Sequence, residues 1–155
     1  MASTITAAAL TVTITESIEL NGKDQGGTNT LSIASINEIS KRIVTVSTTE
    51  ATILTFSAAV GQGTYVAANV RYMRFTNLDD TYHIMLTFKD EDNTEFRAKV
   101  DAGQSFIFNG DNSGGVVDTM KANGSALGSG LADLYDVTAD ADTSSCDLEI
   151  FVASV

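Results

Sequence analysis

The sequence predicts an all-β domain, an antiparallel two-sheet β-sandwich of jelly-roll type. Three observations carry that prediction. Thr occurs 20 times and sits among Val, Ile and aromatic residues in short alternating runs, which is the composition of strands. Pro is absent, and Asn, Asp and Gly cluster between the runs at short, regular intervals, as the turns of a sandwich or barrel do. Runs with a helical period are scarce. About nine or ten strands are expected, and a jelly roll closes off sheet edges in about that number. An immunoglobulin-like sandwich fits less well, because there is no Trp and only one Cys. The length of 155 residues is that of one domain, spanning 1–155.

The elements follow in chain order. Residues 10–20, LTVTITESIEL, alternate strictly: Leu10, Val12, Ile14, Ile18 and Leu20 share one face, and Thr11, Thr13, Thr15, Ser17 and Glu19 share the other. Period two with a polar outer face is a half-buried strand. Residues 1–15 are read as an N-terminal arm or edge strand, and NGKDQGG after it as a loop. Three short strands are expected at 31–36, 42–47 and 52–57. Ile36, Ile39 and Ile43 are spaced as in a helical turn, but Val44, Thr45 and Val46 follow at once and favour a strand. GQGT, at 61–64, is a loop.

The centre carries the clearest pattern. Strands at 70–76, 82–89, 96–100 and 105–108 are separated by NLDDT, DEDNT and DAGQ, which together read as an antiparallel meander. Residues 109–130 are rich in Gly, Asn and Ser and are expected to form a long surface loop. The last strands, 131–138 and 146–153, flank the acidic turn ADADTSS. No internal repeat of 20–50 residues is present.

Charge and motifs exclude several functions. The net charge is −11, which opposes binding to nucleic acid, because that affinity comes mainly from Lys and Arg neutralising phosphates. No apolar run approaches about 18 residues, so no membrane span is expected. The opening MASTITAAAL has neither a basic region nor a long apolar core, so it is not read as a secretory signal. The single cysteine, Cys146, cannot form an internal disulfide and is read as a small packed strand residue. A reactive thiol would want cations nearby, and Asp147 is the wrong neighbour.

No catalytic set stands out, and the chain is expected to be a non-enzyme without cofactor or metal. His83 is the only histidine, expected on the face opposite Tyr82, Ile84, Leu86 and Phe88, in solvent or at a subunit contact. No nucleophile-elbow motif marks a serine to partner it. One His and one Cys far apart cannot hold zinc. Calcium is the metal worth weighing: Asp90, Asp92 and Thr94, and again Asp140, Asp142 and Ser144, have the alternate spacing that opens a calcium loop. Neither run continues into the Gly and distant Glu such a loop needs. Paired carboxylates for glycoside hydrolysis cannot be seen in sequence, and acids in turns, such as Asp79 and Asp80, are read as solvated. GDNSGG matches no phosphate-binding fingerprint.

What remains is surface character. Thr-rich strands present a flat, polar, β-compatible face, and without Pro no edge strand is blocked by that device. Candidate assembly contacts are Thr4, Thr6, Thr11, Thr13 and Thr15 near the N-terminus, and Arg71, Arg74 and Arg97 on central strands. Cross-strand pairing with acids is the plain reading of the arginines, together with Lys99; pairing to a neighbouring subunit is the sharper one.

Three stretches carry a resemblance: VRYMRFTNLDDTYHIMLTFK, DAGQSFIFNG and CDLEIFVAS. Together they resemble small all-β virion structural proteins of tailed bacteriophages, particularly phages of marine cyanobacteria. The resemblance implies a particle component made in the host cytoplasm. Within that class it points to a capsid decoration (cement) protein on the outer capsid surface, commonly a homotrimer, with the major capsid protein and sister copies as partners. Residues 2–15 would then be an arm adding a strand to the shell or to a sister subunit. The alternatives are a tail-associated fibre or appendage subunit, or a free carbohydrate-binding module, for which Tyr65, Tyr72, Tyr82 and Tyr135 would be the aromatic candidates.

Overall fold

The computed structural model describes residues 5–61, 65–121 and 130–155. The strands are β1 (Ala8–Glu16), β2 (Glu19–Leu20), β3 (Lys23–Asp24), β4 (Gly27–Ile36), β5 (Glu38–Val46), β6 (Ala51–Ser57), β7 (Tyr65–Val66), β8 (Val70–Asn77), β9 (Ile84–Asp90), β10 (Glu95–Val100), β11 (Ser105–Asn109), β12 (Leu134–Ala141) and β13 (Cys146–Ser154). One 3₁₀ turn, Ala67–Asn69, precedes β8.

Two sheets form the body. One runs β11-β8-β13-β5 and the other β10-β9-β12-β6, with the short β7 added in parallel to β6. Numbered along the body, the first strand neighbours the eighth, the eighth the third, and the third the sixth; the second neighbours the seventh, the seventh the fourth, and the fourth the fifth. That is jelly-roll topology, as the sequence predicts.

The core follows from strand alternation. Val46, Met73, Phe75, Leu148, Ile150 and Val152 face inward from one sheet; Leu54, Phe56, Leu86, Phe88, Val137 and Ala139 meet them from the other. Phe88 lies at the centre of an aromatic group. Its ring stacks on Phe96 and Phe108 at centroid distances of 4.8 and 5.4 Å, and meets Phe75 edge-on at 5.7 Å.

The expected meander is corrected here. Of its four strands, β9 and β10 pair as a hairpin, but β8 and β11 belong to the opposite sheet. The chain changes sheets across 78–83, and Asn77 pins that corner. Fully buried, its Nδ2 donates to the carbonyls of Tyr82 (2.8 Å) and Val100 (3.1 Å), and its Oδ1 accepts from the Asp79 amide (3.0 Å). One amide thus ties the end of β8 to the start of β9 and the end of β10. Asp79 in turn accepts the Tyr82 and Thr81 amides, which hold its carboxyl below the usual range.

The loop expected at 109–130 is corrected in its first half. Asp111 and Gly115 form an isolated bridge, as do Met120 and Ala132. Val116 and Met120 are buried in the body core. Gly115 has φ +63°, and an added Cβ would lie 2.3 Å from the Ala67 carbonyl, so this close approach needs glycine. The amides of Val116 and Met120 donate to the carbonyls of Ala67 (2.9 Å) and Ala132 (3.0 Å). The rest of that expected loop, 122–129, lies outside the described residues.

In the N-terminal region, residues 8–16 form a strand paired on one side. β1 pairs antiparallel with β4 along its length, from Ala8↔Ile36 to Glu16↔Gly27, making a long two-stranded ribbon. β2 and β3 pair at its tip around Asn21 and Gly22, which take φ +53° and +72°. Asn-Gly with positive φ at both positions suits the twist of a two-residue hairpin turn.

Candidate functional site

The ribbon has two chemically distinct faces. Thr11↔Ser32, Thr13↔Thr30 and Thr15↔Thr28 form the polar one, with hydroxyl contacts of 3.5 Å at Thr13–Thr30 and 3.3 Å at Thr15–Thr28. Leu10↔Ile33, Val12↔Leu31 and Ile14↔Asn29 form the other. Near its base the apolar face lies on the outer surface of the four-stranded sheet, where Ile33 and Ile36 are buried with Tyr72 and Ala153 against Leu10, Val12, Ile107, Phe151 and Val155. Ile33 and Ile36 are three apart, so a regular strand would send them to opposite faces. An irregularity in the pairing there, with Ser35 at φ +64°, turns both toward the sheet.

Coverage fails along the ribbon. Ile33 is 4% exposed, Leu31 36%, Ile14 46%, Ile18 55% and Leu20 60%. The middle of the ribbon lies over β8 and β11, where Val12, Ile14, Asn29 and Leu31 line one hollow with Tyr72, Ile107 and Asn109. Since β11 is the edge of its sheet, the remainder of the ribbon overhangs. From Ile14 to the turn this overhang is about 20 Å of chain, at about 3.3 Å per strand residue.

A second uncovered apolar stripe lies on the opposite edge of the same sheet. Ile39 and Ile43, on the outer face of β5, are each 60% exposed, and Lys41 lies between them. β13 covers one side of β5, and among the described residues no strand pairs with its other side. Glu149 on β13 accepts from Arg74 at 2.6 Å and pairs with Lys41 at 3.1 Å. These two bonds hold the Glu149 carboxyl below its ordinary range. Asp147, which accepts from Thr45 at 2.9 Å, lies two residues along the same outer face, so two carboxylates match the two cations there.

The candidate contacts do not converge on one site. Thr4 lies outside the described residues. Thr6 lines a hollow at the base of the ribbon with Ile36 and Ile39, and Thr11, Thr13 and Thr15 are exposed on the ribbon's polar face. Arg74 is on the outer face of the four-stranded sheet, bonded to Glu149 and Thr76. Arg97 is on the other sheet, 3.4 Å from Glu50 and 3.6 Å from Glu95. Lys99 pairs with Asp101 at 2.7 Å. Arg71 is buried, donates to the Ala68 carbonyl at 2.6 Å, and has no carboxylate partner among the described residues. Sequence reasoning missed Ile39, Lys41 and Ile43 as a surface; an apolar residue on each side of an outward-pointing lysine was the available signal.

Among the described residues the titratable groups make no concerted arrangement. His83 Nδ1 is 3.6 Å from Asp142 Oδ2, and no hydroxyl is hydrogen-bonded to its ring among the described residues. Asp90 is used in its own turn, where Oδ1 accepts the Thr94 amide at 2.7 Å. No group of three or more His, Cys, Asp or Glu side chains is placed to hold a metal among the described residues. Burial, then the charges of Asp79, Asp142 and Asp147, push the Cys146 thiol up. Of the four tyrosines, Tyr72 is buried, Tyr65 and Tyr82 are half-buried, and Tyr135 is exposed, so they build no shared platform. No helix among the described residues is long and apolar enough to cross a membrane.

No known family model matches this chain, and no curated protein matches it. Among solved structures, a chain described under "Bacillus endospore appendages form a novel family of disulfide-linked pili" is similar at 9% identity, over 100% of this chain and 95% of that one. The TM-score is 0.42, and at that value the likeness carries no argument about fold or function.

Proposed function

We propose that this chain is a non-enzymatic virion structural protein, a capsid decoration protein on the outer shell of a tailed phage. The observation that supports this reading is the β1–β4 ribbon, whose apolar face continues beyond the sheet it sits on. A monomeric protein gains nothing by exposing Ile14, Ile18 and Leu20 on an overhanging ribbon. An assembling subunit gains a preformed docking element, because apolar surface left in water is released on contact. The resemblance of VRYMRFTNLDDTYHIMLTFK and its companion stretches to phage virion proteins points the same way. The net charge of −11 suits an outer surface, since an inner wall would meet packaged DNA with like charge. In this reading the ribbon replaces the single N-terminal strand as the arm, and its partners are shell subunits and sister copies.

Imaging of purified particles, with the copy number measured alongside, tests the proposal. Hundreds of copies spread over the shell are expected. A handful of copies confined to the tail would replace decoration by an appendage role. Absence from the particle would overturn the virion reading altogether.

A further inference from the structure

Regular alternation along β8 would send Arg71 into the core with Met73 and Phe75. An irregularity in the pairing prevents it. Ala153 of β13 lies opposite Tyr72 and Ser154 opposite Val70, so Arg71 has no opposite residue on that strand. Val70 takes the core position, and the bulge re-aims the arginine. Arg71 lines a hollow of about 410 Å³ with Ser32, Ile33 and Ser35 at the base of the ribbon, Asn112 from the turn after β11, and Val155. Ser35 is itself at φ +64°, so two departures from regular strand geometry meet at one hollow. Arg71 is 8% exposed, and among the described residues its one hydrogen bond goes to the Ala68 carbonyl. None of its nitrogens is both sealed from solvent and unpaired, so the donors that remain open into the hollow. The side chains of Ser32, Ser35 and Asn112 make no hydrogen bond among the described residues. The carboxylate next in sequence to Asn112, on Asp111, is engaged with the Ser113 amide and hydroxyl at 3.3 and 3.0 Å. Val155 bonds away from the arginine, its amide donating to the Asn69 carbonyl at 3.0 Å. A buried guanidinium without an acid beside it is costly, and buried charges are as a rule paired.

We propose that this hollow is a binding site for a carboxylate, held by the Arg71 guanidinium with Ser32, Ser35 and Asn112 around it. A planar carboxylate matches the guanidinium fork with two parallel N–H···O bonds. Arg71 is the only charged side chain lining the hollow, so a singly charged acid is neutralised there and a phosphate dianion is not. Ile33 and Val155 supply an apolar wall, which suits a short aliphatic acid. The site does not rest on the virion reading, because none of its residues belongs to the overhanging part of the ribbon.

Titration of the full chain with sodium butyrate tests this, followed in proton–nitrogen correlation spectra at the Arg71 Nε–H and the Ser35 and Asn112 amides. Saturable shifts are expected there and not at the side chain of Arg97, an exposed arginine on the other sheet. Arg71→Lys keeps the charge but not the fork and should weaken binding about tenfold or more, and Arg71→Gln should abolish it. Arg71 is buried, so thermal melts accompany both variants. Asn112→Ala changes an exposed residue with no side-chain bond among the described residues, leaves the fold intact, and should weaken binding several-fold. A capped tripeptide, acetyl-Ala-Glu-Ala-amide, forms the second arm. Uptake of butyrate alone assigns a free small acid, and uptake of the tripeptide assigns an acidic side chain of a partner. No saturable shift with either probe, a folded Arg71→Gln variant that binds like the parent, an Asn112→Ala variant that does so, or tighter binding of inorganic phosphate than of butyrate would overturn the proposal.

Discussion

The sandwich body and the ribbon use the same residue types for opposite ends. In the body, Ile84, Leu86 and Phe88 share one face of β9 and are sealed between two sheets. In the ribbon, Leu10, Val12 and Ile14 alternate as regularly, yet burial decays along the strand because only one sheet lies beneath and it ends at β11. Alternation marks the face that wants covering; whether anything covers it depends on what lies opposite. Apolar residues therefore hold the body together, while the outer part of the ribbon, exposed at Ile14, Ile18 and Leu20, has little to contribute to folding.

Mutations can break or sharpen that contrast. The largest effect is expected at Phe88→Ala, which removes the ring that Phe75, Phe96 and Phe108 pack against. A loss of about 3–5 kcal/mol is expected, read in denaturant unfolding. A loss below about 1 kcal/mol would mean the body is not held by this group. Next is Ile33→Ala at the seat of the ribbon, with an expected cost of about 2 kcal/mol. Its effect should be local: amides of β1 and β4 lose hydrogen-exchange protection while those of β8 and β9 keep theirs. Equal loss in both would erase the distinction between the two regions.

A smaller effect comes from the bonds on the sheet surface. Glu149→Gln should cost about 1 kcal/mol at neutral pH, since it weakens charge-assisted bonds to Arg74 and Lys41. The folded-state carboxyl is held below its ordinary value of 4.5, so its contribution is present above that value and is lost as pH falls through the lower folded one. The variant should lose that part of the acid slope. Asp136 has the opposite sign. Burial pushes its carboxyl up, with Oδ1 left unpartnered, so ionisation opposes folding and the penalty lifts as pH falls through the raised value. Asp136→Asn should therefore raise neutral-pH stability; a decrease would show that the charge is needed. The smallest effect on folding is expected at Ile18→Thr, within about 0.5 kcal/mol, because that side chain is already 55% exposed. A larger loss in denaturant unfolding would show that the ribbon tip is held by the fold.

Much of this is readable along the chain. The strands around 70–76 and 82–89 follow from alternation and Asn/Asp turns, because both signals are local. The extent of β4 was less readable. Its start, Gly27 to Thr30, is polar and has no core partner; it is a strand because it pairs with the threonines of β1. Val116 and Met120 read as loop residues because they sit among Gly, Asn and Ser, and their burial depends on Ala67 and Ala132, partners distant in sequence. The threonines of the ribbon were visible as a surface, whereas Ile39 and Ile43 resembled core residues of a helix or strand.

The sequence by itself determined where the alternating strands of the body run and which of their faces are apolar, because a side chain's direction depends on a period of two along its own backbone. Tertiary structure alone decided that β8 and β9 lie in opposite sheets, that β1 folds onto β4, and that the ribbon extends past β11. The physical reason is that strand pairing joins residues distant in sequence. No local pattern specifies which apolar face finds a partner within the fold and which is left exposed.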